Sequence, residues 1–195
     1  MRKTLIALFL GLACSLASAA DPVPPHAYVQ IETSEGNFVL ELNGKQAPIT
    51  VGHFLKLVDS GFYDGTIFHR VIPGFMAQAG AHTPDLTLKE TDDTIPNESG
   101  NGLSNVRGTI AMARTSDPHS ANSQFFINVA DNSRLDPNKS GFRGTWGYTV
   151  FGQVIEGMEI VDKIVSVETG PQGPFGSDVP QIPIIIKKIS RYTFE

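Results

Sequence analysis

The chain has 195 residues, of which 41% are hydrophobic and 18% charged, and its net charge at pH 7 is −5. These values are typical of one soluble globular domain that is large enough to fold without disulfides or metals. Neither sign of charge forms a run of five or six residues, so nucleic acid is excluded as an expected partner.

The first 20 residues have the pattern of a cleavable export signal. Arg2 and Lys3 precede an apolar run over residues 4–13, and Ala17-Ser18-Ala19 supplies an A-x-A cleavage site. The alternative is a membrane anchor, but the apolar run is short for a permanent spanning helix. We therefore expect cleavage after Ala19 or Ala20 and no permanent membrane anchor.

Cleavage would change the chemistry available to the mature chain. It removes two basic residues and no acid, which moves the net charge from −5 to −7, and it removes Cys14, the only cysteine. A chain without cysteine has no thiol to mispair in an oxidising compartment. It also lacks a thiol nucleophile, a redox pair and a cysteine metal ligand.

Residues 21–27 are predicted to be a flexible lead-in, and the domain is expected to cover 28–195. Tyr28–Thr33 and Phe38–Leu42 are predicted strands, joined as a hairpin through residues 34–37.

A helix is predicted next, because apolar residues recur at positions 51, 54, 55 and 58. Thr50 is expected to cap its N-terminus, and Gly61 to follow its last turn. The strand predicted at Thr66–Ile72 has bulky residues on both faces, which places it inside the fold.

Residues 82–105 are polar and irregular, a length of loop that is more often functional or mobile than idle. A second helix is predicted at Met158–Val165. Further strands are predicted at Thr109–Ala113, Gln124–Val129, Tyr148–Val154 and Ile184–Ile189. Many strands with only two helices favour a mainly β barrel or sandwich over an alternating α/β fold.

The sequence lacks the common signatures of metal, nucleotide and serine chemistry. Its five histidines have neither H-E-x-x-H nor H-x(3–5)-H spacing, and there is no G-x-S-x-G, P-loop or complete G-x-G-x-x-G motif. No metal and no cofactor are therefore expected.

Two segments are the most informative: FHRVIPGFMAQAG at 68–80 and SQFFINVADN at 123–132. Arg70 lies among apolar residues in the first segment. In the second, strand alternation places Gln124 and Phe126 on one face and Phe125 and Ile127 on the other. We expect the second pair to be core. An isolated cation among aromatic, Met and Gln side chains suits recognition of a neutral polar group better than acid–base catalysis.

These two segments, with RGTIAMAR at 107–114 and VFGQVIEGM at 150–158, resemble the cyclophilin family of peptidyl-prolyl cis-trans isomerases, in matching order and spacing from Tyr28 onward. The resemblance implies a mainly β fold, a closed eight-stranded antiparallel barrel capped by two α-helices, with a shallow groove on its outer face. It also implies an isomerase that uses no cofactor and no covalent intermediate. With the export signal, the likeness is to bacterial periplasmic cyclophilins, which implies a periplasmic location.

The same resemblance assigns roles to individual residues. Arg70 matches the catalytic arginine, and Gln78 the residue that holds it in place. The matches to substrate-backbone contacts are Gln124, Ala113 and Arg114. The matches to the walls of the proline pocket are apolar: Phe75, Met76, Phe126 and Leu135.

Three positions depart from the eukaryotic members of the family. Arg134 stands where they carry a tryptophan that matters for the inhibitor cyclosporin, so weak cyclosporin binding is expected. Trp146 lies in a loop from which it could partly replace that tryptophan. Tyr148 stands where they carry a histidine, and it keeps an aromatic wall for the substrate site. Arg114 replaces a neutral residue, which would favour acidic or polar residues near the substrate proline.

The expected function is therefore isomerisation of Xaa–Pro bonds in unfolded or newly exported chains, by a monomer. A non-catalytic proline-peptide binding module or holding chaperone is the second hypothesis, and a structural barrel with no groove function is the third. Retention of Arg70 with Phe75, Gln78 and Phe126 favours the enzyme, because a binding module has no need of the arginine.

Overall fold

A computed structural model describes residues 22–91, 93–138 and 145–194. The predicted export signal lies outside these residues. The strands are β1 (His26–Thr33), β2 (Asn37–Asn43), β3 (Phe68–Ile72), β4 (Met76–Ala79), β5 (Thr109–Met112), β6 (Phe125–Asn128), β7 (Val150–Glu156), β8 (Thr169–Gln172), β9 (Phe175–Pro180) and β10 (Ile186–Arg191). The helices are α1 (Pro48–Asp59) and α2 (Met158–Val165), and a 3₁₀ turn covers Ser133–Leu135.

Eight strands form one antiparallel sheet in the order β10-β1-β2-β7-β5-β6-β4-β3. Its two end strands, β3 and β10, do not form a ladder. A single bridge joins Ile67 to Ile185 beside them, and the Phe68 amide donates to the Ile184 carbonyl over 3.0 Å. The mainly β, eight-stranded, two-helix prediction is confirmed, but "closed" was an overstatement, since the sheet is a half-barrel joined across its ends by isolated contacts.

The main core lies on the concave side of the sheet. Alternate residues of β1, such as Val29 and Ile31, are fully buried there. Phe54 of α1 covers this face, with ring centroids 5.7 Å from Phe125 and 5.2 Å from Phe151. The amphipathic faces of the helices thus cap the sheet where its apolar side chains converge. No helix in the described ranges is long and apolar enough to cross a membrane.

The prediction that Thr50 caps α1 was wrong. The helix begins at Pro48, and Thr50 lies inside its first turn. Glu98, from the long polar segment 82–105, supplies the cap: its carboxylate accepts from the Ile49 and Thr50 amides over 3.2 and 2.8 Å, and from the Thr50 hydroxyl over 2.6 Å. A carboxylate at this end satisfies unpaired amides and complements the helix dipole, a long-range contact that local spacing does not reveal.

The hairpin of β8 and β9 was not predicted. Its sequence, TGPQGPFGSDVP, is rich in Gly and Pro and is typical of a loop. In the fold it pairs with itself, apart from the main sheet, while Val179 is buried and Phe175 packs against His69 and His82. Burial against other elements, rather than strand propensity, makes this segment a hairpin.

Candidate active site

The candidate site is built on the convex face of four neighbouring strands. Strand register aligns Arg70 with Gln78, Gln78 with Phe126, and Phe126 with Ala111. Because side chains alternate along a strand, these aligned residues project from one face. The intervening residues, such as Phe125 and Ile127, are fully buried in the concave core, as predicted.

A second, smaller apolar cluster covers this convex face. Its buried members are Met76, Ala111, Phe126 and Val150, and partly buried side chains surround them, including Phe75, Leu135 and Tyr148. The rings of Phe126 and Tyr148 meet edge to face, 5.6 Å apart. This part of the sheet is therefore apolar on both faces. One face packs in the core, and the other forms a partly exposed apolar surface, called the floor below.

Above that floor lies a cavity of about 170 Å³, lined by Arg70, Phe75, Met76, Gln78, Ala113, Arg114, Phe126, Leu135 and Tyr148. Every residue proposed for the site from sequence lines this cavity except Gln124. Gln124 lines an adjoining cavity of about 150 Å³, to which Gln78, Ala113 and Arg114 also contribute. The structure therefore brings together residues that lie up to 78 positions apart in the chain.

Two guanidinium groups, those of Arg70 and Arg114, line the cavity beside its apolar floor. Its lining contains no carboxylate, histidine or thiol, and the described ranges contain no group of His, Cys, Asp or Glu side chains suited to hold a metal ion. Such an arrangement can orient an apolar ring and donate a hydrogen bond to one neutral acceptor.

Arg70 forms an ion pair with a residue that the sequence did not indicate. Its side chain is 42% exposed, and its Nε lies 3.5 Å from Oδ2 of Asp178 on β9. Gln78, directly across the strand pair, donates from Nε2 to Oε1 of Gln124 over 3.0 Å. In the described part of the chain no hydrogen bond joins Gln78 to Arg70. Asp178 was missed because it lies in the unpredicted hairpin, more than 100 residues from Arg70, and no local signal could have found it.

The other two cations beside the site stack on aromatic rings. The Arg114 guanidinium lies 4.7 Å from the Tyr148 ring centroid and donates to the carbonyls of Thr115, Trp146 and Gly147. Arg114 thus links the loops that form this wall of the cavity. Because its N–H groups already donate to backbone carbonyls, they are less available to an acidic substrate than the sequence suggested. Arg134 lies 4.6 Å from the Phe75 ring centroid, and both contacts have cation–π geometry.

Trp146 lies outside the cavity lining. Its side chain is half exposed and packs edge to face on His119, with centroids 5.3 Å apart. The following residue, Gly147, must be glycine, because a Cβ there would lie 2.4 Å from the Pro137 nitrogen and 2.6 Å from the Leu135 carbonyl oxygen. This close approach sets the position of Tyr148, whose amide donates to the Leu135 carbonyl over 2.9 Å.

Buried amides hold the loops that carry the apolar walls. Asn132 donates to the Phe75 carbonyl over 2.9 Å and to Asn128 over 2.8 Å. Asn128 donates in turn to Asn105 over 3.2 Å, and Asn105 to Asp136 over 2.9 Å. Paired buried polar groups fix one arrangement, because leaving any of them unpaired is costly. Sequence reasoning missed this network, since asparagines in loops usually indicate turns.

The long segment 82–105 supports the part of the cavity wall that carries Tyr148. The Asn97 amide donates to the carbonyls of Pro118 and Gly147, and the Asn101 amide donates to the carbonyl of Val150. Together with the cap that Glu98 gives to α1, these bonds make the segment a brace behind Tyr148.

His69 lies behind Arg70, on the opposite face of β3. It is almost completely buried, its ring centroid is 4.4 Å from that of His82, and its Nδ1 has no hydrogen-bond partner among the described residues. Burial is the main cause that lowers the pKa of His69 from 6.5 to about 3, and the nearby His82 and Arg70 lower it further. A neutral ring is therefore packed beneath the cation.

Comparison with known proteins identifies the architecture. The family model described as cyclophilin type peptidyl-prolyl cis-trans isomerase matches residues 28–191. Peptidyl-prolyl cis-trans isomerase A of Dickeya dadantii is 48% identical over 186 residues, covering 95% of both chains. Peptidyl-prolyl cis-trans isomerase B of Escherichia coli is 48% identical over 162 residues, covering 83% of this chain and 98% of that one.

A solved structure gives the same result. The crystal structure of a Cryptosporidium parvum cyclophilin type peptidyl-prolyl cis-trans isomerase, determined in the presence of the dipeptide Ala-Pro, is 31% identical and superposes with a TM-score of 0.71. The superposition covers 86% of this chain and 99% of that one.

The buried His69 predicts acid sensitivity. Because its folded pKa is about 3 and its unfolded pKa about 6.5, the unfolded chain binds more protons between these values. The free energy of unfolding should be fully retained above pH 6.5 and fall below it, with His69 contributing up to ~1.4 kcal/mol per pH unit. Urea unfolding of wild type and His69→Gln between pH 7 and 4 measures this, and the variant should show the shallower dependence. Equal slopes would contradict the prediction.

Proposed function

We propose that the chain accelerates rotation about Xaa–Pro bonds in unfolded or newly exported polypeptides, with Arg70 as its catalytic residue. The chain belongs to the cyclophilin-type peptidyl-prolyl cis-trans isomerase family. The observation that carries the proposal is the placement of this guanidinium at the edge of a cavity that has an apolar floor and no carboxylate, histidine or thiol in its lining. That set of groups suits a reaction in which no covalent bond is made or broken.

The guanidinium would act on the prolyl nitrogen. Amide resonance gives the C–N bond partial double-bond character and a rotation barrier of about 18–20 kcal/mol. Twisting the bond breaks the resonance and returns a lone pair to nitrogen. A donor that reaches this nitrogen stabilises the twisted form more than the planar one, which is the requirement for catalysis. One well-placed donor in a water-poor site contributes ~3–4 kcal/mol, or two to three decades in rate.

The apolar floor would contribute in two ways. The planar amide is more dipolar than the twisted one, so an apolar surrounding favours the twisted form. The proline ring would also be gripped by Met76 and Phe126 of the sheet and Leu135 of the 3₁₀ turn while the preceding residue rotates. This contact would fix the reacting geometry.

The substrate backbone would run past Ala113 and Gln124. Ala113 follows β5, and its amide donates to the carbonyl of Gln124, just before β6, over 2.9 Å. The adjoining cavity, lined in part by these two residues, supports an extended segment leading away from the proline. Tyr148 would close the side wall.

Replacement of Arg70 tests the proposal. Arg70→Ala should reduce catalysed cis/trans exchange of an Ala-Pro peptide, followed by NMR, by at least about tenfold, because the donor to the prolyl nitrogen is lost. Arg191→Ala is the matched control, since Arg191 is similarly exposed and also paired with an aspartate. It should retain wild-type exchange.

Two outcomes would count against the proposal. Equal rates for wild type and Arg70→Ala would remove Arg70 from the mechanism. Binding of the peptide by wild type without acceleration would favour the proline-binding module.

We also propose weak inhibition by cyclosporin. Arg134, stacked on Phe75, occupies the position of the tryptophan that matters for this inhibitor in eukaryotic members, and Trp146 lies away from the cavity. Arg134→Trp should tighten inhibition of the exchange reaction. A low-nanomolar inhibition constant for the wild type would contradict the proposal.

Residues 1–20 are proposed to direct the protein to the periplasm and to be removed there, leaving a monomer. The support is the basic, apolar and A-x-A pattern of this segment. N-terminal sequencing of the periplasmic fraction should find a chain that begins at Ala20 or Asp21, and light scattering should give the mass of one chain. An unprocessed chain in the membrane fraction would refute removal of the segment, and a chain confined to the cytoplasm would refute export.

A further inference from the structure

The ion pair between Arg70 and Asp178 is the contact at the site that the proposed mechanism leaves unused. Oδ2 of Asp178 lies 3.5 Å from Nε of Arg70, and the Asp178 side chain is 31% exposed. The arginine side chain is long and rotates freely, so a single carboxylate at Nε limits the directions that its two terminal nitrogens can take. In the described part of the chain, no hydrogen bond from Arg70 to another side chain serves this purpose.

The backbone of Asp178 is in an unusual conformation. Its φ of 65° lies in the left-handed region, which costs most residues about 1 kcal/mol or more and which Asp and Asn tolerate best. A non-glycine residue kept in this region is a reason to look for a functional constraint.

The hairpin that carries Asp178 is anchored on both sides of that residue. Phe175 packs against the buried rings of His69 and His82, with centroids 5.7 and 5.1 Å away. On the other side of Asp178, Val179 is buried and pairs with Gly170 of β8. Asp178 is therefore presented to Arg70 from a fixed support, and that support packs on the same strand, β3, that carries the arginine.

We propose that Asp178 is a positioning residue for the catalytic arginine: it holds Nε from the side so that the terminal nitrogens face the proline cavity. This inference rests on the proposed role of Arg70. The resemblance assigns that task to Gln78, but the Gln78 amide donates to Gln124. In this fold the β8–β9 hairpin supplies the carboxylate beside Nε of Arg70, and Gln78 bonds to Gln124 at the adjoining cavity.

The test compares Asp178→Asn and Asp178→Gly with wild type, because both residues accept the left-handed backbone while removing the charge. NMR line-shape analysis of catalysed exchange gives kcat and KM separately. We expect kcat to fall about three- to tenfold, since loss of orientation weakens the interaction made in the transition state. KM should change less than twofold, because the apolar floor is untouched. Asp178→Glu should recover part of the loss.

Two readouts separate positioning from a structural defect. The ¹⁵N–¹H signal of the Arg70 Nε–H group should shift in both variants that lack the carboxylate. Added salt, which screens a partly exposed pair, should lower kcat in wild type but not in Asp178→Asn. Asp162→Asn, which breaks the exposed ion pair with Arg107, is the matched control and should leave kcat unchanged.

Each failure has a distinct meaning. An active wild type whose kcat and Arg70 signal are unchanged in Asp178→Asn and Asp178→Gly would overturn the inference and leave the isomerase intact. A parallel rise in KM and fall in thermal stability with an unshifted Arg70 signal would also overturn it, in favour of a structural role. A wild type that does not accelerate exchange would refute the proposed function itself.

Discussion

The structure depends on a sheet segment that is apolar on both faces. Across β3, β4, β6 and β5, one set of alternate residues packs under α1 in the main core, and the other set forms the floor of an outer cavity. The side chains of the floor are held in place because the opposite face of the same strands packs in the dense main core. A shallow surface site thereby gains the rigidity of an interior, which is what a catalyst that acts by holding a ring and aiming one donor requires.

The loops around this floor are fixed by polar contacts in addition to their apolar packing. Buried asparagines hold the turn at Phe75, segment 97–101 braces the wall at Tyr148, and Arg114 bonds three carbonyls of the neighbouring loops. The groups around Arg70 also suit its positive charge. Arg70 has Asp178 at its side and the neutral ring of His69 behind it, so no second positive charge lies beneath the guanidinium.

Much of this architecture follows from the sequence. Period-2 alternation correctly separated Phe125 and Ile127 in the core from Phe126 on the outer face, and helix α2 was located at its observed bounds. The motifs located Arg70, Gln78 and Phe126 because strands β3, β4 and β6 lie within them. What could not be predicted consists of contacts between distant segments. The Glu98 cap, the asparagine network and the Asp178 contact each join loops whose conformation is decided by tertiary packing, and local propensity carries no information about such pairings.

A crystal structure of the protein with a bound Xaa–Pro peptide would test the central claim most directly. We expect the proline ring on the floor formed by Phe126, Met76 and Leu135, with a terminal nitrogen of Arg70 within hydrogen-bond reach, about 3–3.5 Å, of the prolyl nitrogen. A proline ring seated outside this cavity, or a guanidinium turned away from the prolyl nitrogen, would contradict it.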